Sequence, residues 1–280
     1  MKFYIKAKGA DAMSNEFIKP EYLEKVSRLR LIDDIFMRKV FENNVPATEL
    51  LLRIIMDNDK IKVIKAQSQY ALTNLYGRSI QLDVLAQDGF GRYFNVEVHS
   101  ESSDTSPKRA RYYVGVIDTA HFPKSVDYGT LFDTYVIFIT ETDVLGEGRP
   151  IYHIDRKINE SGNHFNDGSH IIYVNGACRY DETALSKLMH DFFCTSARDM
   201  HYQELKQRVK YFKETKEGAQ IMCKISEELR KEGFAEGMSK GKAETTLSIA
   251  KNLKRLGTLT DEAIALSTHL PIEQVKALSV

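Results

Sequence analysis

Two alternating segments joined by a short turn constrain the fold of this chain more than any other feature. Residues 79–85 and 93–99 place apolar side chains at every second position, which is the pattern of strands with one buried face. Those side chains are Ile80, Leu82 and Val84 in the first segment and Phe94, Val96 and Val98 in the second. The sequence Asp-Gly-Phe-Gly at 88–91 is typical of a turn. The sequence therefore predicts a β-hairpin near the middle of the chain.

Each strand of this hairpin carries one acid. Asp83 lies on the first strand and Glu97 on the second, fourteen positions later. Antiparallel pairing brings them close together, where two carboxylates repel each other unless a cation lies between them. Oxygen ligands of this kind suit Mg²⁺ or Mn²⁺, which can polarise a phosphoryl oxygen and lower the pKa of a bound water. His99 points to the same face as Glu97. The alternative is that both acids are solvent-facing residues of an amphipathic hairpin.

Helical and strand patterns flank the hairpin on both sides. One helix begins near Pro46 and another near Pro107, because proline suits the first helical turn. Short apolar runs at 135–139 and 170–174 predict buried strands, and helical patterns return over 183–213. This order of elements predicts an α/β core with helices packed on the faces of a sheet.

The composition changes after about residue 214. Aromatic residues almost vanish after Phe212, Lys, Glu, Ala and Gly become frequent, and glycines recur at 233, 237 and 241. The segment 221–256 keeps a helical pattern, and Thr260 suits the N-cap of a further short helix. This part of the chain is expected to be a helical connector or a surface for a partner, including a second copy of the chain.

Three regions follow from these patterns. We expect an N-terminal arm over 1–20, an α/β domain over 21–215 and a helical extension over 216–280. No apolar run approaches the roughly 20 residues needed to span a bilayer, so no membrane partner is expected. Three cysteines without a Cys-x-x-Cys pair indicate reduced thiols and a cytoplasmic protein.

Charge and histidine spacing add little to these expectations. The chain has 39 basic and 39 acidic side chains, so its formal net charge is zero. A balanced total neither favours nor excludes a nucleic-acid partner, since a local basic patch is enough for binding. The histidines other than His99 form no His-x₃-His or His-Glu-x-x-His set, so no zinc site is expected.

Three segments carry a resemblance to a known family. They read Gly-Arg-Ser-Ile-Gln-Leu-Asp-Val-Leu-Ala at 77–86, Asn-Val-Glu-Val-His at 95–99 and Pro-Lys-Arg-Ala-Arg-Tyr-Tyr at 107–113. Together they resemble the PD-(D/E)XK nuclease family transposases, also known as Rpn-type recombination-promoting nucleases. The segments 31–41, 134–141 and 167–176 and the repetitive tail are similar as well. The resemblance implies an α/β fold with a restriction-endonuclease-like core, in which helices flank a mixed central sheet, followed by a C-terminal helical extension.

The resemblance also implies a metal site. Asp83 and Glu97 would be the acids that bind Mg²⁺ or Mn²⁺, with the carbonyl of Val98 as a third ligand. An acid of the first core helix would complete the site. The spacing D-x-x-F gives Asp33 this role, and its neighbour Asp34 is the alternative.

His99 departs from the family pattern. The superfamily carries its catalytic Lys at this position, and this family often carries Gln. Imidazole changes its charge near neutral pH, so His99 could stabilise developing charge, orient the attacking water or bind the metal. Two hypotheses follow: an active enzyme with altered pH dependence, or a core that has lost its catalytic activity.

Four basic residues are candidates for nucleic-acid binding: Lys108, Arg109 and Arg111 at the start of a helix, and Arg78 ahead of the Asp83 strand. Arg109 and Arg111 are two positions apart and do not share a helix face. One of them would reach a phosphate, for which arginine is well suited, while the other would be structural. The alternative is that these arginines are solvated or form salt bridges.

The resemblance implies a Mg²⁺-dependent DNA endonuclease that hydrolyses phosphodiester bonds and promotes recombination or transposition-like events. A second hypothesis is a catalytically decayed nuclease-fold protein that binds DNA or a protein partner without cleavage. A third is an oligomeric regulator that acts through the C-terminal helices, with the core as a scaffold.

Overall fold

The computed structural model describes residues 20–73, 77–100 and 105–279, so residues 1–19 of the predicted arm lie outside the described residues. The helices are α1 Pro20–Arg28, α2 Asp34–Phe41, α3 Val45–Ile55, α4 Pro107–His121, α5 Ala184–Phe193, α6 Gln203–Glu214, α7 Lys216–Leu256, α8 Asp261–Thr268 and α9 Ile272–Lys276. The strands are β1 Val63–Leu72, β2 Ile80–Asp88, β3 Tyr93–His99, β4 Thr134–Thr140, β5 Ile151–Ile154 and β6 Ser169–Asn175.

The strands form one mixed sheet in the order β1-β2-β3-β4-β6-β5. The first three strands are antiparallel neighbours, β3, β4 and β6 run parallel, and β5 pairs antiparallel with β6. The parallel step from β3 to β4 passes through α4, as such a connection requires a crossover. The predicted α/β class, with a mixed sheet flanked by helices, is confirmed.

The predicted hairpin forms from β2 and β3. The Asp88 carboxylate closes its turn, because Oδ1 accepts hydrogen bonds from the N–H groups of Phe90 and Arg92, both at 3.0 Å. Gly91 has a φ of +82°, a conformation that glycine adopts without a steric penalty. The turn therefore fixes the register in which the two acid-bearing strands pair.

Each face of the sheet covers its own apolar core. On one face α2, α3, α5 and α6 pack against Phe94, Val96 and Val98 of β3. On the other face α4 packs against a second cluster that includes Leu82 and Phe138. The acids of the hairpin thus lie between two buried layers instead of at a solvated surface.

The predicted alternation of β2 breaks at Asp83. Ile80 and Leu82 join the α4 core, whereas Val84 joins the opposite core, so the expectation that all three share one face is wrong. Gln69 lies opposite Asp83 on β1 and has a φ of +55°, which interrupts regular strand geometry at this point. The strand is therefore distorted at the position of its acid.

The C-terminal helices form a compact unit that begins at Lys224, inside α7. The buried side chains of its small core are Ala250, Ile264 and Val275. Thr260 caps α8 as predicted, since its Oγ1 accepts a hydrogen bond from the N–H of Ala263 at 3.3 Å. The predicted extension starts at the first residue of α7, and this boundary stays a prediction. None of the helices in the described ranges combines the length and apolar character needed to cross a bilayer.

Candidate active site

The two hairpin acids meet where β2 and β3 stop pairing. The last ladder pair on this side is Val84 with Val96. Beyond this pair, the two side-chain carboxylates accept main-chain hydrogen bonds, as carbonyl groups do within a paired sheet. The N–H of Asp83 donates to Oε1 of Glu97 at 3.2 Å, and the N–H of Val98 donates to Oδ2 of Asp83 at 3.1 Å. Each carboxylate is therefore held by the main chain of the opposite strand.

Both carboxylates are buried. The side chains of Asp83 and Glu97 are 7% and 1% exposed, which rules out the alternative of two solvent-facing acids. Burial raises the pKa of Asp83, and the nearby charge of Asp34 raises it further. Burial also raises the pKa of Glu97, His99 opposes this shift, and the charge of Asp83 adds to it. Two acids in this state are stabilised in their charged form by a cation.

The helix acid that faces this pair is Asp34, in place of the predicted Asp33. Arg38 links Asp34 to the strands, because its Nε lies 2.5 Å from Oδ1 of Asp34 and its Nη2 lies 3.3 Å from Oδ1 of Asp83. Asp33 precedes the first turn of α2 and points away. Its carboxylate accepts hydrogen bonds from the main-chain N–H and the guanidinium of Arg30, at 2.7 Å and 3.0 Å. The orientation of the helix start therefore assigns Asp33 a structural contact.

His99 presents an unpaired nitrogen to the acids. Its Nε2 lies 3.7 Å from Oε2 of Glu97, which is too long for a hydrogen bond. The same nitrogen is buried and has no hydrogen-bond partner among the described residues. The ring packs against Phe138, with the centroids 5.6 Å apart. A buried polar atom without a partner is costly, and a bound ion or water would satisfy it.

These residues fit a divalent cation. The carboxylates of Asp83 and Glu97 are the hard oxygen donors that Mg²⁺ and Mn²⁺ prefer, and Asp34 lies next to them through its contact with Arg38. The N–H and C=O of one strand residue point to the same side, so the Val98 carbonyl faces the gap beyond the last ladder pair. Asp83 and Glu97 thus lie together with Asp34 nearby, and the assignment of the metal ligands stays a prediction.

A buried amide also lies beside Glu97. Asn95 is fully buried, and neither its side-chain nitrogen nor its oxygen has a hydrogen-bond partner in the part of the chain that the structure describes. Asn95 and Glu97 are two positions apart on β3 and share a face. The side chain of Asn95 opposes the rise in the pKa of Glu97, so the site holds a buried polar group beside the acids.

The two arginines of α4 point in different directions, as their spacing predicts. Arg109 faces the site: its Nη2 lies 3.9 Å from Oε2 of Glu97, and its Nε donates to Oη of Tyr113 at 2.7 Å. Arg111 is exposed and, with Lys108, lines a groove of about 270 Å³ that also contains Arg156. Helix α4 thus places the positively charged Arg109 beside the acids, and Lys108 and Arg111 along the outer groove.

Arg78 is placed differently from the other candidates. Its side chain is exposed, and its main-chain carbonyl accepts a hydrogen bond from Oη of Tyr112 at 2.5 Å. This main-chain contact connects the segment before β2 to α4, and a nucleic-acid-binding role for the exposed guanidinium stays a prediction.

Sequence reasoning missed Arg38, Asn95 and Tyr113. Arg38 follows Asp34 by four positions, a spacing that pairs opposite charges on one helix face, so this signal was present in the sequence. Asn95 precedes Glu97 by two positions on the same strand face. Tyr113 could not be assigned, because its hydroxyl joins the site only through Arg109.

Comparison with known proteins gives a family match. The family model described as PD-(D/E)XK nuclease family transposase matches residues 32–232, which is most of the chain and contains all the acids of the site. Searches of curated proteins and of solved structures gave no significant match. The family match and the mixed sheet flanked by helices lead to the same conclusion: the chain belongs to the PD-(D/E)XK nuclease family transposases.

Proposed function

We propose that this chain is a DNA endonuclease that depends on Mg²⁺ or Mn²⁺ and hydrolyses phosphodiester bonds. The observation that carries the proposal is the buried pair of Asp83 and Glu97, which main-chain N–H groups hold side by side where the hairpin opens. Burial of two like charges is unfavourable unless they serve to hold a cation. Strand breaks made in this way would promote recombination or transposition-like events in the cytoplasm.

The acids have distinct roles in the proposed reaction. Asp83, Glu97 and the Val98 carbonyl hold the metal, which when bound polarises the phosphate and lowers the pKa of a water. Asp34 adds negative charge to the site. Arg38 contacts both Asp34 and Asp83, so it limits their repulsion and keeps both side chains oriented toward the gap.

In the proposed reaction, His99 either accepts the proton of the attacking water or carries a proton as imidazolium. Its unpaired Nε2 lies beside Glu97, where a neutral imidazole can accept a proton from the attacking water. An imidazolium at the same place would stabilise negative charge that develops on the phosphate, which is the task of a lysine at this position. The two roles need opposite protonation states, so a pH profile separates them.

The α4 helix supplies contacts to DNA. Arg109 lies 3.9 Å from Glu97, so its guanidinium would contact a phosphate that enters the site. Lys108 and Arg111 line the outer groove with Arg156, and their positive charge favours the phosphates of the flanking strand. Asp155 lines the same groove and reduces its charge.

Cleavage of supercoiled plasmid by the purified full-length chain tests the proposal. Reactions with Mg²⁺, Mn²⁺ or EDTA are run on linear, supercoiled and relaxed DNA. We expect nicked products with either metal and none with EDTA. A folded protein that leaves the plasmid intact in every reaction would exclude the endonuclease.

The second candidate function is a nuclease fold that binds DNA or a protein without cleavage. The specific observation in its favour is His99, which stands where the superfamily has a catalytic lysine. This function predicts DNA binding that survives loss of Asp83, together with a gain of cleavage when His99 is replaced by Lys or Gln.

We also propose that the chain forms a homo-oligomer through α7. Phe234 and Met238 are four positions apart on this helix and are 69% and 47% exposed. Light scattering on the full chain tests this by comparing the double variant Phe234→Ser/Met238→Ser with Phe90→Ser, whose ring is 79% exposed in the hairpin turn. The mass should fall to that of a monomer only in the double variant. An unchanged mass in both would reject this interface and the regulator that depends on it.

A further inference from the structure

A second cluster of metal-binding side chains lies at the end of α5, outside the acid pair. It contains His190, Asp191 and Cys194, whose ligand atoms all lie within 4.8 Å of one another. His190 and Cys194 are four positions apart and share a helix face. The Sγ of Cys194 lies 3.5 Å from Nδ1 of His190, and that nitrogen lies 3.6 Å from Oδ1 of Asp191.

These separations match those between the ligands of a zinc ion. Zinc binds sulfur at about 2.3 Å and nitrogen at about 2.0 Å in tetrahedral sites, which places the two ligand atoms roughly 3.5 Å apart. The separation of Cys194 and His190 already has this value. Thiolate and imidazole ligands select zinc over magnesium, so the donor set differs in kind from that of the acid pair.

His201, just before α6, packs against this cluster and is the candidate for a fourth ligand. Its ring lies across the His190 ring with the centroids 4.8 Å apart. Its main-chain N–H donates to Oδ1 of Asp191 at 2.8 Å, and the N–H of Tyr202 donates to Oδ2 at 2.9 Å. A carboxylate has about four acceptor positions, so Asp191 can hold these two N–H groups and still contact an ion.

The surroundings of the cluster allow a cation to enter. The side chain of His190 is 38% exposed, so an ion can reach it from solvent, while Asp191 is fully buried beneath it. Burial raises the pKa of the Cys194 thiol to about 11, the negative charges of Asp191 and Asp199 add to this rise, and Lys213 opposes it. The Lys213 ammonium donates to three main-chain carbonyls, so its protons are already used in holding α6 to the neighbouring loops.

We propose that His190, Asp191, Cys194 and His201 form a Zn²⁺ site that fastens the end of α5 to the start of α6. The thiol of Cys194 loses its proton to solvent when the ion binds, as zinc coordination requires. The site is structural, because four protein ligands leave no open position for a substrate. Zinc binding would stabilise the contact of α6 with the nuclease core. There the Phe212 ring packs edge-on against the Phe36 ring of α2, with the ring centroids 6.3 Å apart.

Cobalt titration of the full-length chain tests the site. Co²⁺ replaces Zn²⁺, and a thiolate ligand gives charge-transfer absorption in the near ultraviolet. The Glu97→Gln background with excess Mg²⁺ keeps Co²⁺ from the acid pair. We expect absorption that saturates at one ion per chain, is displaced by Zn²⁺ and disappears in Cys194→Ser. Cys178→Ser and Cys223→Ser are matched controls and should keep it.

Histidine variants keep the test decisive should Cys194→Ser fail to fold. His190→Ala and His201→Ala retain the thiolate, and each should weaken Co²⁺ binding by about tenfold or more. His153→Ala, on β5, should leave binding unchanged. The site is rejected by a folded chain that shows no charge-transfer absorption, by absorption that survives Cys194→Ser or disappears in a control, or by unaltered affinity in both histidine variants.

Discussion

The N–H of Asp83 donates to the carboxylate of Glu97 at 3.2 Å, so each hairpin acid is fixed by contact with the opposite strand. The reciprocal bond runs from Val98 to Asp83 at 3.1 Å. Main-chain donors cannot leave their strands, so the two carboxylates stay together whether or not a cation is present. The stability of the metal-free protein should therefore depend on the charge of this pair.

Glu97→Gln should stabilise the metal-free protein at neutral pH. The pKa values of Asp83 and Glu97 are raised, chiefly by burial, so the folded state holds their protons more tightly than the unfolded state. Their contribution to stability is full below the ordinary values of 3.8 and 4.5 and is lost as pH rises through the raised values. Glutamine keeps the acceptor oxygen and removes one charge.

Thermal melts in EDTA measure this effect. They run from about pH 4, near the ordinary pKa of a carboxyl group, to about pH 8. We expect the melting temperature of the wild type to fall relative to Glu97→Gln as pH rises, and Mg²⁺ to remove the difference. Glu160→Gln, in an exposed loop, is the control. Parallel pH curves for wild type and Glu97→Gln would contradict the account of the charged pair.

His99→Gln should change the pH profile of cleavage. An imidazole can bind and release a proton, whereas the amide of glutamine cannot. Activity that the wild type alone loses toward low pH would assign His99 the role of a base, and activity that it alone loses toward high pH would assign a cationic role. Initial rates of plasmid nicking over a series of pH values around neutrality are the measurement. Identical profiles for the two proteins would exclude both roles.

Asp34→Asn and Asp33→Asn should have different consequences. Asp34 shares Arg38 with Asp83, so its loss should lower the cleavage rate by about 10- to 100-fold, as expected for a residue that supports a metal site. Asp33 binds Arg30, so its loss should cost about 1 kcal/mol of unfolding free energy and leave the rate nearly unchanged. Nicking rates and urea unfolding measure the two effects. The reverse result would restore Asp33 as the helix acid.

Gly218→Ala should destabilise the chain, whereas Gly237→Ala should not. A Cβ on Gly218 would lie 2.1 Å from the carbonyl oxygen of Tyr211 and 2.6 Å from Cα of Phe212, and neither backbone atom can move freely. We expect a loss of roughly 1–3 kcal/mol. A Cβ on Gly237 meets no atom within 4 Å, and alanine favours the helix by about 0.5–1 kcal/mol. Urea unfolding measures both, and equal effects would contradict the close packing of α7 on α6.

Local patterns predicted most of the sheet and the identity of the acid pair. The hairpin could be predicted because alternation and turn residues act over a few positions, and its pairing then places Asp83 opposite Glu97. The full length of β1 could not be predicted from the sequence. Its second half, Gln67 to Ala71, mixes polar residues without a clear period. The break in alternation at Asp83 coincides with a positive φ at Gln69 of the neighbouring strand, which no local pattern in β2 contains.

The choice between Asp33 and Asp34 needed the tertiary structure. Both residues fit the start of α2, and only the rotation of that helix on the sheet decides which one faces Asp83. The cluster around Cys194 is a similar case. His190 precedes Cys194 by four residues, but His201 joins them only because the chain turns between α5 and α6. Contacts between residues of separate helices and strands depend on tertiary packing, so the spacing of residues in the sequence does not predict them.

The proposed nuclease activity depends on the buried carboxylate pair and on a divalent cation. Plasmid nicking with Mg²⁺ or Mn²⁺, compared among wild type, Asp83→Asn, Glu97→Gln and the control Glu160→Gln, tests it most directly. Losing a metal ligand should lower the rate by more than about 100-fold, the upper range for outer partners of a metal. We predict that loss in both site variants and wild-type rates in the control. Wild-type nicking by a folded Asp83→Asn or Glu97→Gln protein would contradict the claim.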